Sequence, residues 1–209
     1  MKNIRTLVMA LMLSMGWLGT AAAQSTAGTV GAAAGKEPPE PLTYWTFVQI
    51  GFLPTVPRGT QNSNVYGLKL GAPMVDGKGR VYGVEPSLMY SGTNYVGGIQ
   101  AAWVGACISR KVDGLQAAGG FCMCEEMNGL MPAIVNINKI MRGYQPGFVN
   151  ITEELTGFQS GFVNIAKKKC TGFQLGFINL SKENGCQLGV LNFIEDGWLP
   201  VCPFFNVYF

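Results

Sequence analysis

Gly143-Tyr144-Gln145-Pro146-Gly147-Phe148-Val149-Asn150 is followed by Gly157-Phe158-Gln159-Ser160-Gly161-Phe162-Val163-Asn164 and by Gly172-Phe173-Gln174-Leu175-Gly176-Phe177-Ile178-Asn179. Gly185-Cys186-Gln187-Leu188-Gly189-Val190-Leu191-Asn192 is a fourth copy of the same pattern, G-x-Q-x-G-x-x-N. Looser copies run back toward the N-terminus from Gly129, Gly114, Gly98, Gly83, Gly67 and Gly51. A last segment, Leu199 to Asn206, keeps the spacing and the closing Asn without the starting Gly. Successive starts lie 13 to 16 residues apart, so residues 43–209 form an array of eleven units whose length changes fall in the connections.

Each unit reads as a β-strand, because Gly recurs too often for a helix and the residues alternate in character. Motif positions one, three and five carry Gly, Gln and Gly, with Lys69 or Glu85 in place of Gln in two units. Positions two, four and six are mostly apolar, as in Leu68, Leu70 and Ala72 or Phe173, Leu175 and Phe177. One face of every strand is therefore small and polar, and the other is apolar. Strands are expected at about 65–74, 80–90, 96–107, 112–124, 128–138, 142–151, 156–165, 171–180, 185–194 and 200–209. Short polar segments such as Asp76-Gly77-Lys78-Gly79 and Ser181-Lys182-Glu183-Asn184 would connect them.

Two all-β architectures fit. In the first, an antiparallel up-and-down meander closes into an outer-membrane-type β-barrel of about ten to twelve strands, with its apolar face toward lipid. Lys69, Glu85, Gln100, Gln116, Gln145, Gln159, Gln174 and Gln187 then face the lumen. In the second, each unit is one coil of a β-solenoid, with the aromatics stacked inside and Gln and Asn forming ladders. Identical motifs in every unit suit parallel stacking, which favours the solenoid. The ending Phe205-Asn206-Val207-Tyr208-Phe209, with apolar residues at alternate positions, favours the barrel: it resembles the assembly signal of outer-membrane barrels. Closure would also remove exposed sheet edges, with the strand around residues 45–53 meeting the one ending at Phe209. The leading expectation is the barrel, with outer-membrane lipid and, through the strand ending at Phe209, the barrel-assembly machinery as partners.

The flanking sequence points to export. Lys2 and Arg5 precede an apolar run from Thr6 to Gly19, and Ala21-Ala22-Ala23 supplies a small-residue cleavage site before Gln24. That run is too short to span a bilayer, so residues 1–23 read as a secretory signal peptide. Residues 24–42 are rich in Ala, Gly and Pro without periodicity, which reads as a disordered lead-in. The outer membrane or cell surface is the expected destination.

Composition narrows the chemistry. The net charge of +3 gives no reason to expect nucleic acid. The chain has no His, which removes Ser/His/Asp and Cys/His catalysis and most zinc sites. Six cysteines (Cys107, Cys122, Cys124, Cys170, Cys186, Cys202) admit three disulfides or none, and small buried thiols are an equal reading. Cys122 and Cys124 lie on one strand face, but two thiols without further ligands make a weak metal site. No catalytic, cofactor-binding or metal residue is assigned, and the chain reads as a non-enzyme. Inside the fold, the Gln amides are expected to bond to one another and plug the interior. Lys69 and Glu85 stand equally far from a hairpin centre at Gly77, so they are expected to form an interior ion pair.

The G-F-Q-x-G-F-[VI]-N copies resemble a family of bacterial surface repeat-containing proteins first noted in spirochaetes, which carry such units behind a signal peptide. Pro203-Phe204-Phe205-Asn206 is similar to that family's closing unit. The resemblance covers residues 43–209, most closely from Gly129 onward. It implies a cell-surface or outer-membrane location and brings no catalytic residues.

Overall fold

A computed structural model describes residues 44–53 and 63–208, so the signal segment and lead-in lie outside the described residues. The strands are β1 (Tyr44–Gly51), β2 (Ser63–Gly71), β3 (Met74–Ser87), β4 (Tyr90–Ala102) and β5 (Ala106–Ala118). They continue with β6 (Phe121–Leu130), β7 (Val135–Pro146), β8 (Val149–Glu183), β9 (Gly185–Ile194) and β10 (Val201–Tyr208). All ten form one sheet in strict chain order.

Every pair from β1/β2 to β8/β9 is parallel. Consecutive strands such as β3 and β4 are nonetheless separated by only two residues, Leu88 and Met89. A flat parallel pair needs a crossover of about a dozen residues. The strand itself must therefore bend through a full circuit, so that the chain climbs one level per repeat. This is a β-solenoid with one unit per coil. Its levels are marked by Phe47, Gly67, Gly83, Gly98, Gly114, Gly129, Gly143, Gly157, Gly172 and Gly185; Gly51, expected to start a unit, instead pairs with Gly71 at position five. β8 runs unbroken through the levels of Gly157 and Gly172.

The barrel expectation is corrected by this pairing. Neighbouring strands are not antiparallel, and β1 and β10 stand at opposite ends of the sheet order instead of closing it. The one antiparallel pair is β9/β10, in which Tyr208 opposes Gly185 and Asn206 opposes Gln187. The expected connections move as well. Asp76 to Gly79 lies within β3, whereas the chain bends at motif positions five and six, as at Gly147-Phe148. Polarity therefore marks an outward stretch of strand here, not a turn.

The first motif Gly is required by geometry. Gly114 has φ +140°, and a Cβ there would lie 2.2 Å from the Gly98 carbonyl oxygen of the level below. Any side chain would both strain the backbone and separate the levels.

Inside each coil, one row is apolar: Val65, Val81, Val96, Val112, Met127, Met141, Leu155 and Cys170 stack with at most 1% exposure. The aromatics do not join them. Tyr144, Phe158 and Phe173 stack along the outside, as do Phe148, Phe162 and Phe177, with ring centroids 4.9–5.4 Å apart. The solenoid thus combines parallel stacking with the inside–outside assignment expected for the barrel. The bend glycines and the level spacing leave the interior room for amides, not for rings.

Candidate functional site

The row at motif position three is the interior feature that sequence singled out. Gln100, Gln116, Gln145, Gln159, Gln174 and Gln187 are fully buried, as is Glu85, and Lys69 is 2% exposed. Parallel register places like on like, so each amide serves the next level. Gln159 Nε2 donates to Gln145 Oε1 (2.8 Å), Gln174 to Gln159 (2.9 Å) and Gln187 to Gln174 (2.8 Å). A second ladder, at position eight, joins Asn136, Asn150, Asn164, Asn179 and Asn192 at 2.8–2.9 Å. Each of these Asn side chains also donates to a backbone carbonyl at a bend, as Asn150 does to Ser160 O (2.9 Å). A primary amide has donors and an acceptor to give both along the stack and to the backbone, which explains its choice at these positions. These ladders fill the coil, so the residues expected to face a lumen line no channel among the described residues.

Toward the N-terminal levels the Gln row becomes charged. Lys69 Nζ lies 3.6 Å from Glu85 Oε2 and donates to Thr93 Oγ1 (2.7 Å). Thr93 in turn donates to Glu85 Oε2 (2.5 Å), Ser91 donates to Glu85 Oε1, and Gln100 Nε2 donates to the same oxygen (3.2 Å). Ser109 donates to Gln100 Oε1 (2.7 Å) and so extends the network to a further level. The expected ion pair is present, reached by stacking one level on another instead of by a hairpin at Gly77. Ser91, Thr93 and Ser109 were not singled out in the sequence. Their alternation, Ser91-x-Thr93, was the available signal that they share an inward face.

Met131 interrupts the Gln row between Gln116 and Gln145. It is fully buried, and the amide atoms that would have met a glutamine there, Gln116 Oε1 and Gln145 Nε2, have no hydrogen-bond partner.

The cysteines are free thiols, with Cys107, Cys122, Cys124 and Cys170 buried. Cys107 and Cys122 stack in register, and Cys122 continues the row that becomes Asn136. Hydrogen bonding to Cys107, together with burial, pushes the Cys122 thiol far up, and burial does the same to Cys124. Burial raises Cys170 to about 12. Such thiols are poor nucleophiles and poor metal ligands. Among the described residues, no group of three or more His, Cys, Asp or Glu could hold a metal ion.

Charge gathers on one side of the coils. Lys111–Glu126, Lys139–Glu125 and Lys168–Glu153 bridge successive levels at 3.7, 2.9 and 2.6 Å, all at least partly exposed. The outward residues at positions two, four and six form the contrasting side. From Val48 to Val190 none of them is charged, and their exposure reaches 82% at Trp103 and 57% at Phe148. A shallow apolar groove of about 540 Å³ runs between the position-four and position-six rows, floored by Gly161, Gly176 and Gly189. Comparison with family models, curated proteins and solved structures gives no match.

Proposed function

We propose that this chain is a non-enzymatic β-solenoid exported to the cell surface, where it acts as a surface-attached binding or adhesion scaffold. The observation that carries this reading is the division of labour in the coil. Ladders of amides close the interior, while uncharged outward lanes run from level to level and turn aromatic where Phe148, Phe162 and Phe177 stack. A repeating exterior suits a partner that is itself extended, and solenoids characteristically bind along such lanes. The signal-like N-terminal segment and the resemblance to surface repeat proteins support export and a surface location.

The test is surface proteolysis of intact cells, followed by attachment of wild-type and deletion strains to host-derived or abiotic surfaces. Loss of the protein to external protease, with weakened attachment in the deletion strain, is the expected result. A protein shielded from protease, in a strain that attaches as before, would sink the proposal.

A further inference from the structure

The two ends of the stack carry complementary halves of one contact. In the C-terminal ladder each Gln offers an amide N–H to the level before it: Gln174 Nε2 donates to Gln159 Oε1 (2.9 Å) and Gln187 Nε2 to Gln174 Oε1 (2.8 Å). At the tail this leaves Gln187 Oε1 buried with no hydrogen-bond partner. At the head Gln49 holds the same row, in register with Lys69. Its Nε2 donates to Ser63 Oγ (2.6 Å), and a primary amide has a second N–H to give. Residues 47–53, Phe-Val-Gln-Ile-Gly-Phe-Leu, repeat the Gln and the second Gly of the tail motif, Gly185 to Leu191. Contacts that repeat along one axis never close, so a head stacked on a tail would build a filament. We infer that Phe47 and β10 are the two stops that keep copies of this chain from stacking head to tail.

Phe47 stops the head. From Gly67 to Gly172, position one is glycine, and a Cβ there would lie 1.9–2.7 Å from a carbonyl oxygen at position one of the level before. Stacking therefore demands glycine of each level that lies on another. β1 stands at the end of the sheet order, and its level is the one that carries a side chain at position one. Set on the tail of a second copy, the Phe47 Cβ would strike the backbone of Gly185. Position five, where Gly161, Gly176 and Gly189 meet the same demand, is already Gly51 in the head.

At the tail, β10 pairs the edge of β9 in the direction that ends the pattern. It runs antiparallel, so Asn206 and not a glutamine opposes Gln187. Its pairing shifts at Phe204, whose φ of +67° lies in the left-handed region that favours glycine. The Asn206 amide donates to Leu199 O (3.0 Å) and leaves Gln187 Oε1 unmet. The backbone edge is thus satisfied while the amide ladder halts, and no further repeat is invited.

Electron microscopy and sedimentation of the purified chain and its variants test both stops. Deleting residues 195–209 opens the tail, and Phe47→Gly opens the head. The combined variant should form filaments whose diffraction repeats at about 4.8 Å along the axis. Neither change alone should do so, because the other stop remains. Phe47→Gly protein has an open head and a closed tail, so it should add once to a filament and shorten filaments when mixed in. Wild-type protein should leave their length unchanged. If the deletion loses its far-ultraviolet strand spectrum, Phe205→Pro/Val207→Pro opens the tail instead, since proline cannot continue the ladder. A folded combined variant that stays the size of the wild type would overturn the inference. Filaments from the deletion alone, or shortening by the wild type, would overturn the part given to Phe47.

Discussion

The Lys69 ammonium stands 3.6 Å from the Glu85 carboxylate of the next level, with the two side chains 2% and 0% exposed. The pair occupies the row that is otherwise Gln, and Thr93 bridges its members. Lys69→Met leaves a buried carboxylate with hydroxyl and amide donors but no cation, which costs about 3–5 kcal/mol. The double variant Lys69→Gln/Glu85→Gln restores the pattern of the later levels and should lie within about 1 kcal/mol of the parent. Urea unfolding measures both. A double variant that loses as much as the Lys69 and Glu85 single variants added together would show that the pair is not coupled.

Met131→Gln should stabilise the protein. Its amide would accept from Gln145 Nε2 and donate to Gln116 Oε1, the two orphaned atoms on either side. Satisfying two buried groups in place of a thioether is worth about 1–2 kcal/mol, less any loss of packing. A higher urea midpoint at unchanged slope is the expected outcome. A lower one would mean that the ladder is broken there for a reason of packing.

Asp76 gives a pH-dependent effect. Burial holds its carboxyl above the ordinary 3.8, with the Gly77 N–H bond and Lys69 only partly opposing. The folded state therefore retains the proton longer than the unfolded state. Stability falls as pH rises from below 3.8 through the raised value, and the deficit persists at neutral pH. Asp76→Asn keeps the acceptor for Gly77 and removes the charge. The variant should be more stable than the parent at pH 7 and equal to it below 3.8, as followed by unfolding across pH. A variant less stable at pH 7 would show that the carboxylate is favoured there.

Thiol reactivity should follow burial. A disulfide reagent at pH 8 should modify Cys186 and Cys202 in the native protein, and all six thiols once it is unfolded in guanidinium. Rapid native modification of Cys122 or Cys170 would place those side chains outside the coil.

The strand character of most of the described repeats, the inward Gln row and the partnership of Lys69 with Glu85 were legible because they depend on alternation and spacing alone; the expected strand at 128–138 is broken at 131–134. A period of two assigns each residue to a face whether the next strand runs parallel or antiparallel. Residues 69 and 85 are neighbours both across a hairpin centred on Gly77 and across one turn of a sixteen-residue coil, so their pairing could not tell the two folds apart.

The connectivity was not legible in the same way, because the direction of the neighbouring strand is a property of three-dimensional stacking. Nor was the exterior position of the aromatics, which the solenoid alternative had placed inside. By itself, the sequence determined that similar motifs recur every 13 to 16 residues and which side of each strand they use. Tertiary structure decided that they stack in parallel register, Gln159 on Gln145 and Gly114 against the Gly98 carbonyl. The physical reason lies in those contacts. A buried amide can donate to an identical amide one level away, and glycine lets the levels approach closely, but only when like lies on like.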